Sequence, residues 1–294
     1  MNISTRITKE MVSIIIVTWN SEKYIKSCLD SILAQDGFNF SNYEIIIIDN
    51  NSQDRTRNII EQDYPQIVLI RNSENVGYAK ANNQGIKIAR GEYILLLNPD
   101  TILQKNFFVP LIEYLNKNPI VGAIAPKILN PNLTVQESVR SFPSHSILLW
   151  EITGLSKIFA RHKTLGKWRM RYFDYDIISE IDQPMASCLL VRSKAIEQIG
   201  DFDENFPMFY NDVDFCFRLK SGGWKIVYFP DASVIHHRGA STKKVRTKMI
   251  FSMHKSLYHY FEKYDKSKSW WIKKIFLYPV LMFTATIRAI LEKF

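Results

Sequence analysis

Tyr93-Ile94-Leu95-Leu96-Leu97-Asn98-Pro99-Asp100 runs from five large apolar residues into a polar stop. The run is too short for a helix and has no polar alternation, so it reads as a strand covered on both faces, as in the middle of a parallel sheet. Proline then ends strand pairing, with an oxygen-bearing side chain on either side. In an open α/β sheet, ligands sit beyond the carboxyl ends of the strands. The tripeptide therefore has two readings. It is a plain turn, since all three residue types favour turns, or a carboxylate held on a rigid strand end to grip a divalent cation against a phosphate.

Working outward, residues 12–17 and 44–48 are β-branched, apolar runs that predict two more buried strands, and 67–70 predicts another. Asn20 or Ser21 is expected to N-cap a helix bearing Tyr24, Cys28, Leu29, Ile32 and Leu33 at helical spacing. Further helices are expected over 53–63 and 77–89. Strand and helix alternate, which specifies a right-handed, mostly parallel α/β sheet flanked by helices. Beyond Asp100 the pattern predicts a helix over 106–116, a strand over 121–125 and a turn over 130–134. It also predicts a strand over 186–191, a helix over 194–199 closed by Gly200, a helix over 212–220, and short strands at 225–229 and 233–235. Residues 142–176, rich in aromatic and basic side chains, carry no assignable period.

The 294 residues, 46% hydrophobic and 23% charged, are ordinary globular values and exclude wholesale disorder. Cys28, Cys188 and Cys216 are odd in number, far apart and set among apolar neighbours, which fits reduced core residues and no metal-type spacing. Residues 1–10 lack an apolar leader segment, so a cytoplasmic protein is expected. The formal net charge is +9, and residues 243–294, with 12 Lys/Arg against 3 Asp/Glu, carry all of it. A basic tail with a local task is expected, and no nucleic-acid partner.

Four strand ends place polar groups on one side of one sheet: Thr18-Trp19-Asn20, Asp49-Asn50, residues 72–77, and Asn98-Pro99-Asp100. Together they outline a nucleotide pocket. Gly-x-Gly-x-x-Gly and Gly-x-x-x-x-Gly-Lys-Ser/Thr are both missing, which argues against dinucleotide and P-loop sites. The missing Gly-x-Ser-x-Gly argues against an α/β-hydrolase. Without a glycine cradle a diphosphate needs another counter-charge, and a cation on Asp100 would supply it.

Val17-Thr18-Trp19-Asn20, 48–54, Asn75-Val76-Gly77-Tyr78-Ala79, Asn98-Pro99-Asp100, Asn211-Asp212-Val213-Asp214 and His236-His237-Arg238-Gly239-Ala240-Ser241 follow in that order. The ordered set resembles inverting family-2 glycosyltransferases of the GT-A fold, above all the rhamnosyltransferase-like branch acting on bacterial cell-surface polysaccharides. The resemblance covers about 12–242. It implies a catalytic domain over 11–242, with a nucleotide-sugar half at about 11–125 and an acceptor half at about 126–242, followed by a basic amphipathic extension over 243–294.

The resemblance also implies roles. Thr18, Asn20, Asp49, Asn50, Asn75, Gly77, Asn98 and Asp100 would frame the nucleotide-sugar, and Asp100 with His236 would hold Mg²⁺ or Mn²⁺. Asp212 would be the general base for the acceptor hydroxyl in a single displacement at the anomeric carbon. The donor would be dTDP-L-rhamnose or a UDP-hexose, and the acceptor a cell-surface polysaccharide or lipid-linked glycan.

Two positions depart from the pattern. Asn98 removes one charge from the metal site, and Asn211 replaces an acid expected beside Asp212, whose absence predicts a weaker base. A non-catalytic nucleotide- or glycan-binding relative is the competing reading.

Ala186 would start a strand near the acceptor, and Trp150 and Trp168 would stack on sugar faces, although large aromatics equally fill cores. His237 is read as a packing residue. In the tail, Trp270-Trp271 and Lys273-Lys274 precede about 13 apolar-leaning residues interrupted by Pro279, fewer than the roughly 20 that span a bilayer. The expected placement is peripheral, on the inner face of the cytoplasmic membrane. Packing on the catalytic domain and a homodimer contact are the alternatives.

Overall fold

The run 93–97 lies within a strand, Gly91–Leu97, with a neighbouring strand on each side and each of its five side chains buried. The computed structural model describes residues 7–37, 39, 41–237 and 246–291. The first half is β1 (Thr8–Thr18), α1 (Ile25–Leu33), β2 (Tyr43–Asp49), α2 (Thr56–Asp63), β3 (Val68–Arg71), α3 (Tyr78–Ile88) and β4 (Gly91–Leu97). There follow β5 (Thr101–Leu103), α4 (Phe108–Lys117), β6 (Val121–Leu129), β7 (Val139–Arg140), α5 (His145–Ile152) and α6 (Leu155–Ile158). Then come β8 (Ser179–Glu180), β9 (Gln183–Pro184), β10 (Cys188–Arg192), α7 (Ser193–Ile199), α8 (Asn211–Ser221) and β11 (Lys225–His236). α9 (Arg246–Tyr264) and α10 (Trp270–Leu291) complete the described chain.

The main sheet runs β3-β2-β1-β4-β10-β6-β11-β5, with β8 also on β11. β3, β2, β1 and β4 are parallel, β10 is inserted antiparallel between β4 and β6, and β11 is parallel to β6. Alternate side chains of each strand feed two apolar layers. Ile14, Ile16, Ile45, Ile47 and Leu95 pack against Leu29 and Ile32 of α1 and Leu111 of α4. Ile15, Ile46, Ile48, Ile94 and Leu96 pack against Ala81 and Ile86 of α3 and Phe215 and Leu219 of α8. This is the expected α/β fold, a mostly parallel sheet with helices on both faces.

Several local expectations are corrected. α1 begins at Ile25 with Tyr24 as an N-cap that makes no side-chain bond, so neither Asn20 nor Ser21 caps it. Both residues serve the next loop instead: Asn20 Oδ1 accepts from the Gln53 amide at 2.8 Å, and the Ser21 amide donates to Thr56 Oγ1 at 2.8 Å. The two short strands expected at 225–229 and 233–235 are one strand, β11, which absorbs Pro230 through a register shift between Phe229 and Ser233. Residues 142–176 contain α5 and α6. All three cysteines are buried and unbridged.

The tail also differs. α10 is a continuous helix of 22 residues with Pro279 inside it, so the expected short, interrupted segment is overturned. A proline within a helix removes one amide donor and need not end it when neighbours hold both flanks. Among the described residues α10 is the one helix long and apolar enough to cross a membrane by length and composition. It buries Leu277, Leu281, Ala285 and Ala289, largely against α9, and leaves Trp271 (63%), Phe276 (66%) and Phe283 (67%) exposed. The boundary expected at 242–243 lies outside the described residues.

Candidate active site

The two readings of Asn98-Pro99-Asp100 are compatible. It is a turn, and it reverses β4 into β5. The Asn98 amide donates to Ser187 O at 2.9 Å, and Asn98 O accepts from Thr101 Oγ1 at 2.7 Å. β5 pairs antiparallel with the end of β11, Thr101 opposite His236, and the His237 amide donates to Asp100 O at 2.9 Å. The turn therefore sets the Asp100 carboxylate beside the His236 ring, Oδ1 to Nε2 3.4 Å.

His236 is buried, and its Nδ1 lies 2.9 Å from Gln136 Oε1. Gln136 Nε2 donates to Asn130 Oδ1 at 2.9 Å, which fixes the amide with its oxygen towards the imidazole. An amide oxygen only accepts, so Nδ1 bears a proton, and in the neutral ring Nε2 turns its lone pair towards Asp100. A carboxylate oxygen and an imidazole lone pair converging at a strand end form a donor set that fits Mg²⁺ or Mn²⁺. Among the described residues no cluster of three His, Cys, Asp or Glu side chains surrounds a common point. Oxygens of a bound ligand would have to complete any coordination shell there. Gln136 was not anticipated from the sequence.

Asp212 stands in the first turn of α8. The preceding Tyr210 adopts φ 65°, a left-handed conformation that costs a non-glycine residue energy and is held by its surroundings. Asp212 is half-buried, and desolvation raises its pKa above the ordinary carboxylate value, against the backbone amides of Val213 and Ala186. Asn211 is turned inward, its Nδ2 3.3 Å from Phe206 O. The weaker base expected from Asn211 thus meets an opposing effect, because burial supplies the upward shift that a second acid would have given.

Ala186 contributes its backbone. Its amide reaches Asp212, and its carbonyl accepts from Tyr78 Oη at 3.1 Å. Burial, reinforced by Asp212, pushes the Tyr78 phenol up, so it stays protonated. The next residue, Ser187, binds Asn98 through its carbonyl, and its own Oγ is buried without a hydrogen-bond partner. Residues 186–187 therefore run between Asp212 and the Asp100 turn.

At the β1 and β2 ends, Asp49 is fully buried and already saturated. Oδ1 accepts from Thr18 Oγ1 (3.0 Å) and Ser52 Oγ (2.5 Å), and Oδ2 from Arg57 Nε (2.5 Å) and the Ser52 amide (2.9 Å). Thr18 and Asp49 brace the loops, while Asn20 is exposed beside them. Asn50 is buried, donating to Gly77 O at 3.2 Å and accepting from Asn72 Nδ2 at 2.9 Å. Asn75, exposed, accepts from the Gly77 amide at 3.0 Å. Gly77 has φ 87°, and a Cβ there would lie 2.8 Å from Pro207 O, so only glycine fits.

Trp150 lies in α5 and Trp168 in the segment after α6, both half-buried, with their neighbours joined by the Arg169–Glu151 pair at 3.1 Å. Glu151 is also close enough to Tyr210 to help raise its phenol, behind burial and Asp212. His237 packs its ring 5.2 Å from that of Tyr24 and lines a cleft with Lys23, Ser27 and Asp100. Arg238, Gly239, Ala240 and Ser241 lie outside the described residues.

Residues 13–173 match the sequence profile of Glycosyl transferase family 2. The N-acetylglucosaminyl-diphospho-decaprenol L-rhamnosyltransferase of Mycobacterium tuberculosis is 29% identical over 89% of this chain and 87% of its own length. Among solved structures, the mannosyltransferase PcManGT from Pyrobaculum calidifontis, in complex with GDP-Man and Mn²⁺, superposes with a TM-score of 0.58 at 17% identity. That match covers 96% of this chain and 75% of the other. S. aureus TarS gives a TM-score of 0.58 at 18% identity, over 88% of this chain and 41% of that longer protein.

Proposed function

This chain belongs to glycosyl transferase family 2, and on that premise we propose that it moves a sugar, with inversion, from a nucleotide-sugar to a cell-surface polysaccharide or lipid-linked glycan. The donor is rhamnose from dTDP-L-rhamnose, or else a hexose from a UDP-sugar. The observation that carries this reading is the run of backbone from Ala186 to Ser187, which ties Asp212, Tyr78 and the Asn98–Asp100 turn into one cluster at the sheet edge. The rhamnosyltransferase from Mycobacterium tuberculosis, matched over most of both chains, favours rhamnose and a lipid-linked acceptor.

In this mechanism Asp212 accepts the acceptor hydroxyl proton as that oxygen attacks the anomeric carbon. Its raised pKa makes it a stronger base than a solvated aspartate. Asp100 and His236 would hold Mg²⁺ or Mn²⁺, which when bound supplies charge neutralisation for the departing diphosphate. Gln136 keeps the His236 lone pair directed at that point. Asn20, Asn75 and Gly77 border the nucleoside, and Thr18, Asp49 and Asn50 hold the loops that do so. Ala186 orients the base, and Trp150 and Trp168 lie on the acceptor side.

The catalytic unit is 11–242, with a donor half to about 125 and an acceptor half from 126, and 243–294 is the extension. The uncovered apolar face of α10, entered through Trp270-Trp271 and Lys273-Lys274, suits the cytoplasmic membrane surface where a lipid-linked acceptor resides. A chain ending at Lys268 should no longer pellet with anionic vesicles at low salt.

The test of function is a panel of nucleotide-sugars screened by thermal shift with and without Mn²⁺, followed by transfer or donor hydrolysis with the best binder. A ligand at its site should raise Tm in a concentration-dependent way. Binding without turnover by the wild type would leave the non-catalytic reading standing.

A further inference from the structure

We infer that α9 belongs to the reaction apparatus, with Lys263 and Tyr264 as positioning residues that hold Asp212 by way of Asp214. The inference rests on the assignment of Asp212 as the base. Asp214 is fully buried, and a buried carboxylate needs donors on its oxygens. Arg218, one turn along α8, supplies one at 2.9 Å. The other two come from α9: Lys263 Nζ and Tyr264 Oη, each 2.6 Å from Oδ1. α9 lies beyond both the expected catalytic segment and the residues that match the family profile.

The first turn of α8 is entered through the left-handed Tyr210, whose side chain makes no capping bond. The side-chain bond within that turn is Asp212's own, Oδ1 accepting from the Val213 amide at 2.9 Å, so Asp212 cannot itself be what anchors the turn to the rest of the fold. Residues two apart on a helix point to nearly opposite sides. A grip on Asp214 from behind therefore fixes the turn that presents Asp212 in front. Tyr260 packs against Val213 and Phe206 beside that grip. Lys263 also binds Asp203 at 2.6 Å, so one ammonium ties the loop before α8 to α8 itself. Burial pushes the Tyr264 phenol up, and its bond to Asp214 pushes it further, so it remains a donor.

The test uses the full chain with Lys263→Met, Lys263→Arg and Tyr264→Phe, read by steady-state kinetics and by amide hydrogen exchange over residues 208–216. Misplacing a catalytic group by about 1 Å costs on the order of a hundredfold in rate. Lys263→Met should lose kcat on that scale while donor KM stays within about twofold, Tyr264→Phe should lose about tenfold, and Lys263→Arg should restore most of the loss. Exchange should rise over 208–216 and stay unchanged in the strands. Wild-type kcat in both Lys263→Met and Tyr264→Phe overturns the inference, as does unchanged exchange over 208–216. If Lys263→Met does not fold, Tyr264→Phe decides alone. If the wild type transfers no sugar, the assignment of activity has failed, and the exchange measurement still decides whether α9 holds this turn.

Discussion

Asp49 and Asp100 both end a buried strand on the same side of the same sheet, yet their carboxylates are in opposite conditions. Asp49 has four donors from its own chain and no exposure. Asp100 faces His236 Nε2 at 3.4 Å, too long for a strong hydrogen bond. A saturated carboxylate holds loops together, whereas one with so loose a partner keeps lone pairs available to a cation. The same contrast separates Asp214, enclosed by Lys263, Tyr264 and Arg218, from Asp212, whose bonds are to backbone amides. Strand-end and helix-start acids that look alike in sequence thus divide into braces, saturated by side chains, and open acids.

The largest expected effect lies on the open side, where the proposed function makes Asp212 the general base. Asp212→Asn should lower kcat by about 10²–10⁴-fold, the usual range for a general base, with donor binding retained. A smaller kinetic loss would move proton transfer to another group. On the brace side, Asp49→Ala should leave the Arg57 guanidinium and Thr18 without their partner and destabilise the fold by about 2–3 kcal/mol. The partial exposure of Arg57 keeps the cost at that level, and urea unfolding would measure it.

Gln136→Leu frees the His236 tautomer and should weaken Mn²⁺ affinity about tenfold to a hundredfold, readable by calorimetry in the presence of nucleotide. The smallest effect is on stability. Asp212 has its folded pKa raised by burial, so its charge costs stability above that pKa and costs nothing below the unfolded value of about 3.9. Asp212→Asn should therefore melt slightly above the wild type at neutral pH. The gap should close as pH falls through the raised pKa.

The first half of the fold was readable because Ile14–Ile16, Ile45–Ile48 and Ile94–Leu97 are long β-branched or leucine runs that only a buried strand accommodates. β5 escaped notice because three residues, Thr101–Leu103, carry no period, and α5 because nearly every position in His145–Ile152 is apolar or aromatic. The candidate site was readable as strand ends in order. Its supports were not. Gln136 meets His236 across 100 positions and Tyr264 meets Asp214 across 50, and neither side chain differs in sequence from an ordinary surface residue.

Gly77 touching Pro207 has a consequence for engineering. The Tyr78 amide donates to Pro207 O at 2.8 Å, and Pro207 lies five residues before Asp212 in the chain. Any side chain at 77 would act as a wedge against the loop that leads to Asp212, so on the proposed function a library meant to change donor preference would forfeit turnover if it varied that position. Asn75, two residues earlier, shares that constraint, because its Oδ1 holds the Gly77 amide at 3.0 Å.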